Sequence, residues 1–522
     1  MTSLRVFGLV TAVVFVVAIG RLAHLDNAGP EHSAVELPGH EPATLYLPPG
    51  NAFFKVIPPP PAARPPAVVL VHGFMSDRQM MSVLARRIAE NGYAVLAIDV
   101  RGHGENRNPF SSDFPAGSAL RQDVKRAVDF LRDYQFVDGA RIVVIGHSMG
   151  AGAVLDYATH DPNLSGAVMI SGGWSLGPER PKNALFIFAE NDPKEAIQDT
   201  STTIAAHLAG VEQIQLGQLY GGFAGNNAIE AIRIPGVDHI RILYSEEAAT
   251  AIVKWLDGAF GANRPGDIAT ADPRLGASMI ALVLFLVLLV PLGRICGSIV
   301  PEWPERAGGA AGWKGILLIA AIMIVSMPLA AMIQPASFVP FVVGDIQTSW
   351  LAVAGLIAIV LLTLSGTLNR RLIRDRIGFT IFAGAIGFAA VYACMVAQSV
   401  TFHRLSLTPE RLIAGAIVTV LTLPFWVGFE FLVRRGGSTI STVLAVIGRA
   451  VILLLMGLGI ALGVLPPVMM LVLPSLTVVF VMIEIFAASA YGSSRNLILI
   501  ALVEASWFAW VMAATNPITF MF

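Results

Sequence analysis

The chain has 522 residues, of which 55% are hydrophobic and 14% are charged, and its formal net charge is −1. The charged fraction lies well below the roughly one quarter that is usual in soluble proteins, so the composition indicates a membrane protein. A nearly neutral chain also lacks the positive charge on which nucleic-acid binding depends. The two cysteines, Cys296 and Cys394, lie far apart and predict neither a disulfide framework nor a metal site.

Residues 1–26 predict a transmembrane signal anchor. Arg5 is followed by an apolar run over residues 6–20, and no small-residue cleavage site follows Gly20. A cleaved signal peptide is the alternative, and both alternatives export the domain that follows. Residues 27–66 are rich in proline and predict a stiff spacer or an edge hairpin near residues 44–47.

Residues 67–262 alternate between short apolar strands and amphipathic helices. The predicted strands span 67–71, 93–99, 142–145, 166–170, 184–188 and 232–234, and the predicted helices span 82–91, 120–134, 195–208 and 246–260. Strands that alternate with helices indicate a mostly parallel sheet covered on both faces. The expected fold class is therefore α/β.

The sequence around Ser148 predicts a nucleophile. A β-branched run at 142–145 leads into Gly-His-Ser-Met-Gly at 146–150, and small residues suited to a helix follow. A strand that turns sharply into a helix exposes a serine hydroxyl at the helix N-terminus. A chance pentapeptide is the alternative, and the flanking strand and helix disfavour it.

A serine nucleophile needs a histidine base and an acid that orients the histidine. Asp192 follows the strand at 184–188, and His239 directly precedes the last helix, so both come after Ser148 in the expected order. Glu190 is the rival acid.

Two backbone amides are expected to bind the oxyanion. One belongs to Met149, directly after the nucleophile, and the other to Phe74, on the loop after the first central strand. Among the other histidines, His147 is expected to pack within the turn, whereas His103 and His160 are expected to be loop or surface residues.

Five motifs in this order resemble the α/β-hydrolase superfamily: His-Gly-Phe at 72–74, Asp-Val-Arg-Gly-His-Gly at 99–104, Gly-His-Ser-Met-Gly at 146–150, Glu-Asn-Asp-Pro at 190–193 and Val-Asp-His at 237–239. The resemblance covers residues 43–262 and implies a serine hydrolase with Ser148, Asp192 and His239 as catalytic residues. Because residues 171–183 leave no room for a cap, this part is similar to the cap-less dienelactone-hydrolase-like and prolyl-oligopeptidase-like domains.

After a polar linker at 263–274, residues 275–522 predict a polytopic membrane domain. Eight apolar stretches approach the ~20 residues that cross the hydrocarbon core, at 276–293, 315–333, 349–367, 378–397, 412–433, 439–463, 465–489 and 496–513. We therefore expect an all-α bundle of about eight transmembrane helices in addition to the N-terminal anchor.

The basic residues of this membrane half predict its orientation. Alternate connections carry Arg294, Arg306, Lys314, Arg370, Arg371, Arg374, Arg376, Arg434, Arg435 and Arg495, whereas the connection at 334–348 carries none. The positive-inside rule makes the arginine-rich connections cytoplasmic and places the globular domain outside the cytoplasm. Arg404 and Arg411 are exceptions on the outer side, where His403 and Arg404 lie near the expected docking position of the globular domain.

Four ionisable residues fall in or near predicted spans, where charge is costly and often functional: Glu430, Arg449, Glu484 and Glu504. Arg449 and Glu484 are expected to form a structural ion pair, and Glu430 is expected to lie with Arg434. A transport or proton-relay role is the alternative.

Together these features predict a membrane-anchored serine hydrolase that acts on an acyl ester or thioester, with a lipid or envelope component as a candidate substrate. We expect no cofactor, no metal and no nucleic-acid partner, and a location in a bacterial inner or plasma membrane. Two alternatives stay open: an acyltransferase with the same residues, and a transporter or scaffold whose hydrolase domain serves only for binding.

Overall fold

The computed structural model describes residues 2–50, 58–111, 117–174, 179–264, 266–302, 312–368, 377–434 and 438–520. Within these ranges the chain forms an α/β domain and a helical bundle, as the composition and patterning predict. Several basic residues that indicated orientation lie outside the described ranges: Arg306, Arg370, Arg371, Arg374, Arg376 and Arg435.

A sheet of eight strands forms the centre of the α/β domain, in the order β1-β2-β4-β3-β5-β6-β7-β8. The strands are β1 (Glu31–Leu37), β2 (Glu41–Leu47), β3 (Pro66–Val71), β4 (Ala94–Ile98), β5 (Asp138–His147), β6 (Gly166–Ile170), β7 (Ala184–Ala189) and β8 (Ile229–Ile234). Strands β3 to β8 are parallel, and β1 and β2 form an antiparallel hairpin that joins the edge of β4. The proline-rich stretch therefore includes the edge hairpin.

Five helices cover the two faces of this sheet: α2 (Ser82–Glu90), α3 (Gly117–Asp133), α4 (Met149–Ala158), α5 (Thr200–Ala209) and α6 (Glu246–Phe260). Because successive strand residues point to opposite faces, Val69 and Val144 pack under α3, α4 and α5, whereas Val68 and Val143 pack under α2 and α6. The helix predicted at 195–208 begins as a π-helical segment, Lys194–Asp199, before α5.

Nine helices in the described part of the chain are long and apolar enough to cross a membrane. They are α1 (Thr2–Asn27), α7 (Pro273–Ile299), α8 (Trp313–Ile333), α9 (Gly344–Leu364), α10 (Ile377–Gln398), α11 (Pro409–Val433), α12 (Ser438–Ala461), α13 (Val472–Ser494) and α14 (Leu497–Thr515). The last eight coincide with the eight predicted stretches. Helix α14 lies at the centre of the bundle with most of its residues buried, and α1 packs against α7.

Close contacts between the helices of the bundle depend on small residues. A Cβ atom at Gly355 of α9 would lie 2.4 Å from the backbone nitrogen of Phe425 in α11, and one at Gly428 would lie 2.4 Å from the Cβ of Ala358. Small residues at such crossings let two backbones approach. The α9–α11 crossing is therefore sensitive to a single added methyl group.

We expect the Gly355→Ala substitution to lower the thermal unfolding temperature of the detergent-solubilised protein, since overpacking a tight contact costs about 1–3 kcal/mol. The matched control is Gly457→Ala in α12, where an added Cβ meets no described atom within 4 Å. Equal unfolding temperatures for the two variants would contradict the tight α9–α11 crossing.

Candidate active site

Ser148 occupies the sharp turn between β5 and α4. Its φ of 52° and ψ of −117° are unfavourable for a residue with a side chain, and such strain persists only where the surroundings enforce it. Strand and helix approach so closely that a Cβ at Gly146 would lie 2.1 Å from the carbonyl oxygen of Gly150. The turn holds the Ser148 hydroxyl at the N-terminus of α4 and leaves the residue half-buried.

The structure brings three sequence-predicted side chains into one chain of hydrogen bonds. His239 Nε2 lies 3.0 Å from Ser148 Oγ, and His239 Nδ1 lies 2.6 Å from Asp192 Oδ1. A carboxylate only accepts, so Nδ1 donates to Asp192 and leaves Nε2 free to accept the Ser148 proton. This arrangement can activate a serine for nucleophilic attack.

Asp192 is fixed by two further donors. The Ser171 hydroxyl donates to Asp192 Oδ2 over 2.6 Å, and the Ala189 amide donates to the same oxygen over 2.8 Å. Glu190, the rival acid, is exposed and accepts from the Gly236 amide over 2.8 Å, away from the histidine. Sequence reasoning missed Ser171, although it follows β6 at the same sheet edge where Asp192 follows β7.

The loop after β3 lies against the nucleophile. A Cβ at Gly73 would lie 3.1 Å from the Cβ of Ser148 and 3.0 Å from His147 Nδ1, so a larger residue would be tightly packed at this contact. In the described part of the chain, neither the Phe74 amide nor the Met149 amide donates to another group. Both amides therefore remain available to an oxygen anion bound beside Ser148.

Two of the other histidines lie where the sequence predicted. His147 is buried, its Nε2 donates to the His239 carbonyl over 2.8 Å, and the two rings lie 4.8 Å apart. Burial lowers the pKa of His147 to about 3, so its imidazole is neutral and acts by packing. His160 is exposed on the surface.

The structure places His103 in a loop, as the sequence predicts, but not at the surface. His103 lies in a loop but is buried, with its ring 5.0 Å from that of His72 and 5.8 Å from that of Phe74. Burial holds the pKa of His103 well below its usual value. The neutral ring packs against His72 and Phe74 at the start of the loop after β3. The local sequence does not reveal this long-range contact.

The loop after β4 is tied to the loop after β3 by a buried charge. Asp99 accepts from the Arg78 amide over 2.7 Å and from the Glu105 amide over 2.9 Å, and it also pairs with the Arg78 guanidinium. The Arg78 side chain reaches Glu105 Oε2 as well. These contacts make the two loops one structural unit at the carboxyl edge of the sheet.

The ionisable residues of the bundle form one buried network. Arg434 contacts Glu430 over 2.5 Å and Glu484 over 2.6 Å, and Arg449 pairs with Glu484 and Glu504. The two predicted pairs, Arg449 with Glu484 and Glu430 with Arg434, are both present. Two guanidinium groups thus face three carboxylates, and each carboxylate lies within ion-pair distance of at least one of them, as buried charges require. Within the described ranges, no cluster of three or more His, Cys, Asp or Glu residues is arranged to hold a metal.

The parallel sheet, the serine at a strand–helix turn, and the aspartate and histidine on later loops define the globular part as an α/β-hydrolase domain of the serine hydrolase class. Residues 63–194 match the family model described as serine aminopeptidase, S33. This match ends two residues beyond Asp192 and therefore includes Ser148 but not His239.

Several known proteins are similar to this domain. A putative non-heme haloperoxidase of Mycobacterium phage D29 is 29% identical over 251 residues, which are 42% of this chain and 87% of that protein. Cutinase 1 of Thermobifida cellulosilytica is 31% identical over 110 residues, which are 21% of this chain and 40% of the cutinase. A Pyrococcus furiosus esterase structure aligns with 44% of this chain and 92% of its own, at 17% identity and a TM-score of 0.32.

We expect the Ser171→Ala substitution to slow labelling of the protein by a fluorophosphonate about tenfold. The lost hydrogen bond is to a charged carboxylate, and such bonds contribute about 1.5–3 kcal/mol. The matched control is Ser201→Ala, because Ser201 is equally buried but donates to the Gly172 carbonyl and not to Asp192. Equal labelling rates in both variants would show that Ser171 does not orient Asp192.

Proposed function

We propose that the protein is a membrane-bound serine hydrolase of acyl esters or thioesters. The hydrogen-bonded series of Ser148, His239 and Asp192 carries this proposal. In it, Ser148 is the nucleophile, His239 the general base and acid, and Asp192 the group that orients the histidine.

The reaction follows from these positions in two steps. Ser148 Oγ forms a bond to the acyl carbonyl carbon while His239 Nε2 takes the hydroxyl proton, and the Phe74 and Met149 amides donate to the developing oxyanion. The bond to the alcohol or thiol then breaks, and this leaving group takes the proton from His239. Water attacks the acyl-serine by the same route and releases the acid and free Ser148.

The contact between the domain and the bundle supports a substrate at the membrane surface. The Phe110 amide donates to the Ile518 carbonyl over 2.7 Å, and the Ile518 amide donates to the Gly102 carbonyl over 2.8 Å. The carboxyl edge of the sheet, where Ser148 lies, thus meets one end of the bundle. Together with the likeness to a cutinase, this placement favours an acyl ester of a lipid or envelope component.

The same contact supports an extracytoplasmic domain. The domain touches the connection between α10 and α11 and the segment after α14, whereas Arg294, Arg434 and Arg495 lie at the other ends of their helices. By the positive-inside rule, that other end is cytoplasmic. Arg404 and Arg411 are the exceptions to the rule. Arg404 pairs with Glu105 and Arg411 donates to the Gly102 carbonyl, so contacts with the domain stabilise both arginines on the outer side.

We expect Ser148→Ala to abolish fluorophosphonate labelling and to lower the rate of p-nitrophenyl butyrate hydrolysis by at least about 10³-fold, because loss of the nucleophile leaves only binding and oxyanion stabilisation. The Ser201→Ala variant serves as the folded control with its activity retained. Labelling or hydrolysis that survives in folded Ser148→Ala protein would contradict the proposed function.

The orientation can be tested by cysteine accessibility in spheroplasts, in a variant without Cys296 and Cys394. Glu212, exposed on the domain, and Arg294, exposed near the end of α7, are each replaced by cysteine in separate variants. We expect a membrane-impermeant maleimide to modify Glu212→Cys in intact spheroplasts and Arg294→Cys only after lysis. The opposite pattern would place the domain in the cytoplasm.

A further inference from the structure

The connection between α10 and α11 runs along the loop that follows β3. The Ser82 hydroxyl donates to the Val400 carbonyl over 3.1 Å, and the Tyr244 hydroxyl donates to the Thr401 carbonyl over 3.2 Å. Gln79 also donates to the Val400 carbonyl. Gln79 lies on the loop that carries the Phe74 amide, Ser82 begins α2 directly after that loop, and Tyr244 precedes α6, so the connection docks beside the loop.

His403 makes two contacts within this loop. Its Nε2 donates to the Met75 carbonyl over 2.7 Å, and its Nδ1 lies 2.5 Å from Asp77 Oδ2. The Arg404 amide donates to the same carboxylate oxygen over 2.7 Å. One bundle histidine therefore contacts the loop at positions one and three residues after Phe74.

The charges on both partners favour this contact. Asp77 is fully buried, and although burial opposes its ionisation, His403 and the donors around Asp77 hold the pKa of this carboxyl well below its usual range. Burial likewise opposes the charged form of His403, but Asp77 raises the pKa of the imidazole above its usual value. Both shifts favour the charged forms, so the contact favours an ion pair between the two parts of the molecule.

The backbone beside this contact is strained. Met75 has a φ of 55°, in the left-handed region that a residue with a Cβ seldom adopts. Such a conformation persists only where the surroundings determine it. Here they do so through His403 on the Met75 carbonyl, through Asp77 two residues later, and through the Phe74 and Met75 side chains, which pack against the core of the bundle.

We propose that His403 is a positioning residue for the oxyanion-binding loop, so that a part of the bundle completes the catalytic centre of the hydrolase domain. This inference rests on the proposed function, because it takes the Phe74 amide as an oxyanion donor. Without His403, Met75 relaxes from its left-handed conformation and the Phe74 amide turns away from the position of the oxyanion. Binding of the ground-state substrate weakens little, whereas the transition state loses a hydrogen-bond donor that stabilises its oxyanion.

The test uses the full-length protein in nanodiscs with p-nitrophenyl butyrate as substrate and phenylboronic acid as a mimic of the tetrahedral intermediate. Removal of one oxyanion donor costs about 10²–10³-fold in kcat in other serine hydrolases, and a displaced donor costs less. For His403→Ala we expect kcat to fall about 10–100-fold, KM to change less than about threefold, and the inhibition constant of the boronic acid to rise in parallel with the fall in kcat.

His403→Gln is the second variant, since glutamine can donate to the Met75 carbonyl but carries no charge to face Asp77. We expect it to recover part of the loss, with a kcat about 3–10-fold below that of the unaltered protein. If His403→Ala does not fold, His403→Gln tests the proposal alone. A fall in its kcat at constant KM supports the positioning role, and an unchanged kcat overturns it.

The matched control is Arg107→Ala, which removes another ion pair between the domain and the bundle. Arg107 lies 3.2 Å from Glu410, is 61% exposed and does not contact the loop after β3. We expect its kcat to stay within about twofold of that of the unaltered protein. A fall equal to that of His403→Ala would show that general docking matters and would overturn the positioning role. If Ser148→Ala is inactive and His403→Ala has full kcat, this inference fails while the proposed function stands.

Discussion

Pairing of buried polar groups is the constraint on which the junction between domain and bundle depends. Where the carboxyl edge of the sheet meets the bundle, backbone carbonyls are removed from water and must find donors. Arg411 supplies several of them at once, over 2.7 Å to the Gly102 carbonyl and 2.6 Å to the Ala513 carbonyl. A single buried guanidinium thereby joins the loop after β4 to the end of α14.

The proposed active site lies next to this junction and contacts both sides of it. On the sheet side, Ser148 lies in a strained turn where strand β5 and helix α4 approach closely. On the bundle side, His403 donates to the carbonyl of Met75, which has a left-handed backbone conformation. Ser148 and Met75 both have a positive φ, one enforced by the local strand–helix turn and the other lying beside a contact with the bundle, so the site combines local folding with long-range docking.

The sequence predicts those parts of this arrangement that depend on local pattern and chain order. Alternating strands and helices predict the sheet, and the order of Ser148, Asp192 and His239 identifies the residues that meet at its edge. Contacts between distant segments were not predictable in the same way. His103 is buried because the loop after β3 folds over it, and the contact of His403 with Asp77 joins residues more than 300 positions apart. The sequence placed His403 on an outer loop near the domain, but it contains no signal for the partner.

The arrangement around Ser148 can be tested by a structure of the full-length protein after reaction with a fluorophosphonate. We expect a phosphonyl group on Ser148 Oγ, with its anionic oxygen within hydrogen-bond distance of the Phe74 and Met149 amides and with His403 still bound to the Met75 carbonyl. An adduct on a different residue, or a phosphonyl oxygen that points away from both amides, would contradict this arrangement.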